Sequence, residues 1–85
     1  MILLWDEPKR ISNLAKHGLD FADIKADFDF RTALVTSAKS GRTMLLGLFK
    51  GEIIVVIISA ALGTEATAII CLRRANRRER RLYGR

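Results

Sequence analysis

Apolar and polar positions along these 85 residues change rhythm twice. Ile2 to Trp5 is a short apolar run that reads as a buried strand. Ile11, Leu14 and Ala15 then fall at i, i+3 and i+4, one face of a helix. Asp6 suits its N-cap and Pro8 its first turn, where a missing N–H costs nothing. Lys16 and His17 occupy the last turn, and Gly18 supplies a left-handed stop. Asp20 opens a second helix, with Asp23 three residues on in a capping-box-like relation. Phe21, Ile24 and Phe28 repeat on one of its faces.

The period then shortens. Thr32 to Ser37 is rich in β-formers, and Ala38 to Gly41 is a turn. Thr43 to Phe49 is a further run, in which Gly47 marks a bulge or a close backbone approach. Lys50-Gly51 signals a tight hairpin. Ile53 to Ala60 is continuous and β-branched, which predicts a central strand buried on both faces. Leu62 to Glu65 turns the chain, and Ala66 to Leu72 is the last strand. Four consecutive strands without a crossover helix predict an antiparallel meander, not a parallel sheet. A short helix closes the chain, with Asn76 as N-cap and Glu79 at the capping-box position. So short and charged a helix needs an anchor, and Leu82 and Tyr83 are its only large apolar residues. The expected fold is α+β: an antiparallel sheet with two N-terminal helices and a short basic C-terminal helix.

Charge changes the picture more than composition does. The net charge is +6, and all of it lies between Arg73 and Arg85, where seven arginines face one acid, Glu79. The rest of the chain is neutral. An arginine-dense end points to a polyanion: RNA, DNA, an anionic membrane or an acidic protein. A membrane surface fits poorly, because no substantial apolar face accompanies the arginines. Guanidinium groups match phosphate and carboxylate bidentately, which ammonium groups do not. The length predicts one domain, residues 1–85, burying roughly 60% of its unfolded surface. One cysteine, Cys71, excludes an internal disulfide and makes a reduced, cytoplasmic setting the expectation. The opening apolar stretch is too short for a signal peptide, and the run from Ile53 to Leu62 too short for a membrane helix.

The motifs together resemble a known family. Trp5-Asp6-Glu7-Pro8-Lys9-Arg10, Asn13-Leu14, Lys16-His17-Gly18 and Asp20-Phe21 resemble the start of BrnT toxins of the bacterial BrnT/BrnA type II toxin–antitoxin systems. Gly41-Arg42, Gly47, Val55-Val56 and Ile69-Ile70 continue the likeness. Arg73, Ala75, Arg78-Glu79-Arg80 and Tyr83 close it. The resemblance implies a RelE-like, metal-independent ribonuclease that arrests growth, needs no cofactor and is neutralised by a BrnA-like antitoxin in a 2:2 complex. The chain departs from the pattern at Ala61 and Ala68, where many members carry arginine, and at Cys71, where serine is usual. A catalytically weak or inactive module that binds nucleic acid or antitoxin is the alternative.

Metal-free RNA cleavage uses the ribose 2′-OH as nucleophile. It needs a base, an acid for the leaving oxygen, and cations for the developing phosphoryl charge. Arg73, directly after the last strand, suits the cationic role; otherwise it is a sheet-edge charge. Arg42 beside Gly41 is a second candidate, or a solvated turn residue. Glu79 among arginines would stay ionised and could act as base, although helix capping also accounts for it. His17 titrates nearest neutrality, although a cation there also complements the helix dipole. Lys50, Arg74, Arg77, Arg78, Arg80 and Arg81 are candidate RNA contacts. Tyr83 could stack on a base or anchor its helix. One cysteine and one histidine far apart do not make a zinc site.

Overall fold

The structure, a computed structural model, describes residues 2–84. In chain order it runs β1 (Ile2–Leu4), α1 (Glu7–His17), a 3-10 turn (Phe21–Asp23) leading into α2 (Ile24–Asp27), and β2 (Leu34–Ser37). A second 3-10 turn, β3 (Thr43–Phe49), β4 (Ile53–Leu62), β5 (Ala66–Arg74) and α3 (Arg77–Tyr83) follow. The five strands form one sheet in the order β1-β5-β4-β3-β2.

The meander from β2 to β5 is antiparallel, as the pattern predicts, and β4 is the central strand. The first strand departs from the expectation. β1 pairs with β5 in parallel, Ile2 against Ala66 and Leu4 against Ala68. Its crossover takes in every element between the two strands, residues 5–65, so no local signal announces it. Gly47 lies in unbroken pairing, so it marks a close approach: a Cβ there would stand 2.8 Å from Cζ of Phe28. The irregularity falls instead in β5, where Ile70 has no partner between Cys71↔Ile58 and Ile69↔Ser59. Lys50 and Gly51 both have positive φ, and the Glu52 amide donates to the Phe49 carbonyl, a tight hairpin turn.

Register divides the sheet into two faces. On the first, Phe21, Ile24 and Phe28 pack with Phe49, Val55, Ile57, Ile69 and Leu72 to form the main core. Burial of this kind is worth roughly 1.5–3 kcal/mol per large side chain. This helix face is covered by α1, the 3-10 turn and α2. On the second face a smaller cluster, Leu46, Val56 and Ala75, lies with Tyr83 of α3.

The helices also differ from expectation in detail. Asp20 caps the backbone of Ala22 and so opens a 3-10 turn rather than a capping box with Asp23. In α1 the Asp6 cap, the early proline and the left-handed Gly18 stand as predicted. Its buried side is not the apolar one, however. Ile11 and Leu14 are exposed, whereas Asn13 is buried. The Asn13 carboxamide donates to the Leu72 and Leu19 carbonyls and accepts from the Leu72 N–H. It therefore takes the place of a neighbouring strand beyond the end of β1, satisfying edge groups that would otherwise be buried unpaired. No helix among the described residues is long and apolar enough to cross a membrane.

Candidate nucleic-acid interface

The basic end is built on a strand and a capped helix. β5 runs through Arg73 and Arg74, and Ala75 tucks its side chain into the smaller core. Asn76 accepts from the Glu79 N–H, while Glu79 accepts from the Asn76 N–H, the complete capping box that the spacing predicts. The Glu79 carboxylate also receives both Arg73 terminal nitrogens, at 2.8 and 2.9 Å. This fork-to-fork pair ties α3 to the sheet. The Arg73 guanidinium, followed by the Asn76 N–H, holds the Glu79 carboxyl below the usual carboxylate range, and Glu79 raises Arg73 in turn.

The consequences for chemistry follow from a donor count. A guanidinium has five N–H donors. Arg73 uses two on Glu79 and one, at 3.3 Å, on the Arg74 carbonyl. Its Nε–H and one Nη2–H remain, on a side chain already fixed in orientation. Glu79, with both oxygens engaged and its proton affinity depressed, is arranged to position Arg73.

Other predicted residues disperse around this centre. Arg74 donates to the His17 carbonyl at 3.0 Å, so the end of α1 meets the end of β5. Burial lowers the His17 pKa, and Lys16, Arg73 and Arg74 push it the same way. These influences favour the neutral ring, against the pull of the helix C-terminus at which it sits. Arg80 donates to the Ala75 carbonyl. Arg77, Arg78 and Arg81 form no ion pair among the described residues and are exposed. Tyr83 packs on the smaller core and its hydroxyl meets Thr32 Oγ1 at 2.9 Å, the anchoring role expected of it. Leu82, expected to dock beside it, is 64% exposed. A seven-residue helix turns only one of the two neighbours inward.

Arg42 and Lys50 are not brought to this centre. Arg73 pairs with Val56, which pairs with Leu46, two strands across and four residues along from Arg42. Lys50 lies at the hairpin tip, 3.4 Å from Asp23 and 3.8 Å from Asp27. Its charge is therefore largely answered. Ala61 and Ala68 lie on opposite faces: Ala68 shares the α3 face with Ala60, and Ala61 pairs with Thr67 on the helix face. They do not belong to one site. Among the described residues, no three His, Cys, Asp or Glu side chains gather to hold a metal ion.

Sequence reasoning passed over Asn13 and the Arg10 network as structural parts. Arg10 bridges Glu7 and Asp20, joining α1 to the following turn. The i, i+3, i+7 spacing of Arg10, Asn13 and His17, the less exposed residues of α1, was the available signal.

The sequence model of a family described as "Ribonuclease toxin, BrnT, of type II toxin-antitoxin system" matches residues 5–79. No curated protein matches the chain. Among solved structures, the 1.1 Å crystal structure of the Brucella abortus ribonuclease toxin BrnT is similar, with 42% identity and a TM-score of 0.78. The match covers 91% of this chain and 100% of that one. A family match spanning both the α1 network and the Arg73–Glu79 pair, with likeness of sequence and fold over nearly the whole length, shows that the chain belongs to the BrnT family of type II ribonuclease toxins.

Proposed function

We propose that this chain is a cytoplasmic, single-domain endoribonuclease toxin of RelE-like fold. It cleaves RNA without a metal ion, arrests growth, and is neutralised by a BrnA-like antitoxin in a 2:2 complex. The observation that carries this reading is the oriented Arg73 at the root of an arginine-rich helix, in a chain of this family. Arg73 offers its two remaining donors to the scissile phosphate and stabilises the charge that develops there. Glu79 is the positioning residue for Arg73. His17, whose carbonyl receives Arg74 and whose ring is pushed toward its neutral form, serves as the base for the 2′-OH. Arg74, Arg77, Arg78, Arg80 and Arg81 hold flanking phosphates, on a helix that Tyr83 anchors to the sheet. Arg42 and Lys50 contribute at most to distant backbone contacts.

Purified protein should cleave RNA in EDTA. Arg73→Ala should lower turnover by about 10²-fold or more while the fold persists. An unchanged rate in a folded variant would remove Arg73 from the site. Loss of cleavage with chelator, restored by a divalent ion, would overturn the metal-free chemistry. A folded, soluble chain that neither cleaves RNA nor slows growth would favour the alternative of an inactive binding module, for which the neutral Ala61 and Ala68 speak.

A further inference from the structure

The α3 face of the sheet is apolar far beyond the area α3 covers. Register places Ile2 and Leu4 of β1, Ala66 and Ala68 of β5, and Ala60 and Leu62 of β4 on this face. Ile2 is 55% exposed, Leu4 47% and Leu62 49%. α3 lies over the other end, at Leu46 and Val56. A continuous exposed apolar patch on a small soluble domain marks an interaction surface.

Its shape and charge specify the occupant. Three adjacent strands are about 10 Å across, the diameter of one helix. The alanines of β4 and β5 form the floor, and Ile2, Leu4 and Leu62 are the taller side chains around it. Arg42, exposed and without an ion pair among the described residues, continues the Met44 face beside Ala60, since Thr43 pairs with Ser59. The arginines of α3 lie at the far end. A second copy of the chain would bring another +6 against this rim. RNA bases stack on aromatic rings, and this floor carries none.

We propose that this trough seats an amphipathic helix of the antitoxin, apolar side against the alanine floor and acidic side chains toward Arg42 and α3. It rests on the reading of the chain as a toxin with a protein antitoxin. The helix would lie beside α3 and complete a layer that α3 alone leaves half built. Binding then draws on burial here and on charge at α3, two separable contributions.

The test uses the purified product of the reading frame adjacent to the chain's own gene. Leu4→Asn with Leu62→Asn, both at exposed positions, should weaken its binding by about 100-fold and leave RNA cleavage by the free chain unchanged. Cys71, half-buried on the same face opposite Ile58, is a native reporter. Its alkylation by iodoacetamide should slow at least tenfold in the complex. Val35→Asn, at a 67% exposed apolar position on the opposite face, should bind normally. Normal binding by the double variant would overturn the proposal, as would loss of affinity in Val35→Asn alone, which would move the partner to the β2 edge. A free-chain dimer dissolved by the double variant would assign the trough to a second copy. Failure of the adjacent product to bind the native chain would remove the partner altogether. Absence of RNA cleavage by the native chain would count against the ribonuclease reading alone, because the binding measurements do not depend on it.

Discussion

The two faces of the sheet are built on opposite terms. The helix face is closed by α1, the 3-10 turn and α2 over three phenylalanines and a row of β-branched residues. The α3 face carries equally apolar strands but only one short helix, held at its start by an ion pair and a capping box. Stability resides on the first face. The second combines an arginine array with an apolar floor that α3 leaves open. In a domain this small, that separation lets residues of the α3 face change without dismantling the main core.

Removing a large core side chain should break the helix face first. Ile24 is fully buried, and Ile24→Ala should cost about 2–5 kcal/mol, unfolding a marginal domain. Chemical denaturation read by Trp5 would measure it; a loss below about 1 kcal/mol would mean that α2 is dispensable to the core. Asn13→Ala should come next, since it strands the Leu72 N–H and C=O and the Leu19 C=O together. A cost of about 1–3 kcal/mol is expected, with faster amide exchange at Leu72. Unaltered exchange there would show that the amide only decorates an edge already closed.

The smallest effect should come from the α3 face. The Glu79 carboxyl is depressed by Arg73, so its contribution is present above the ordinary value of 4.5 and lost as pH falls through the lower folded value. Acidification should therefore release α3, seen as faster exchange at its amides and a changed Tyr83 signal, before the helix face melts. Glu79→Gln should abolish that step. Because Arg73 is a third exposed, the cost should be well under that of the core substitutions. Simultaneous loss of both faces on one acid transition would deny the comparison.

Local chemistry made much of this legible in advance. The caps at Asp6, Gly18 and Asn76, the central β4 and the apolar triad of Phe21, Ile24 and Phe28 are all written in short-range patterns. What escaped depends on distant pairing. The apolar spacing of Ile11 and Leu14 suggested the wrong buried side of α1, because the decisive contact is polar and its partner, Leu72, lies 59 positions away. A still longer separation, Ile2 from Ala66, hid the parallel placement of β1. At the candidate site, Arg73 and Glu79 were each visible, but their bidentate pairing was not. Two residues can be nominated for separate roles from spacing alone, while only the bend between β5 and α3 brings them into one.

The parallel seam between β1 and β5 governs when this molecule comes into being. Ile2 waits for Ala66, and Asn13 for Leu72, so the first-made segment gains its partners in the sheet only near the end of synthesis. Closing so long a loop is entropically slow, and contacts of such high sequence separation retard folding. A nascent chain lacking β5 has no neighbour for its first strand and no arginine helix. Whatever chemistry the Arg73–Glu79 pair supports therefore waits until the last strand and the last helix have both been made.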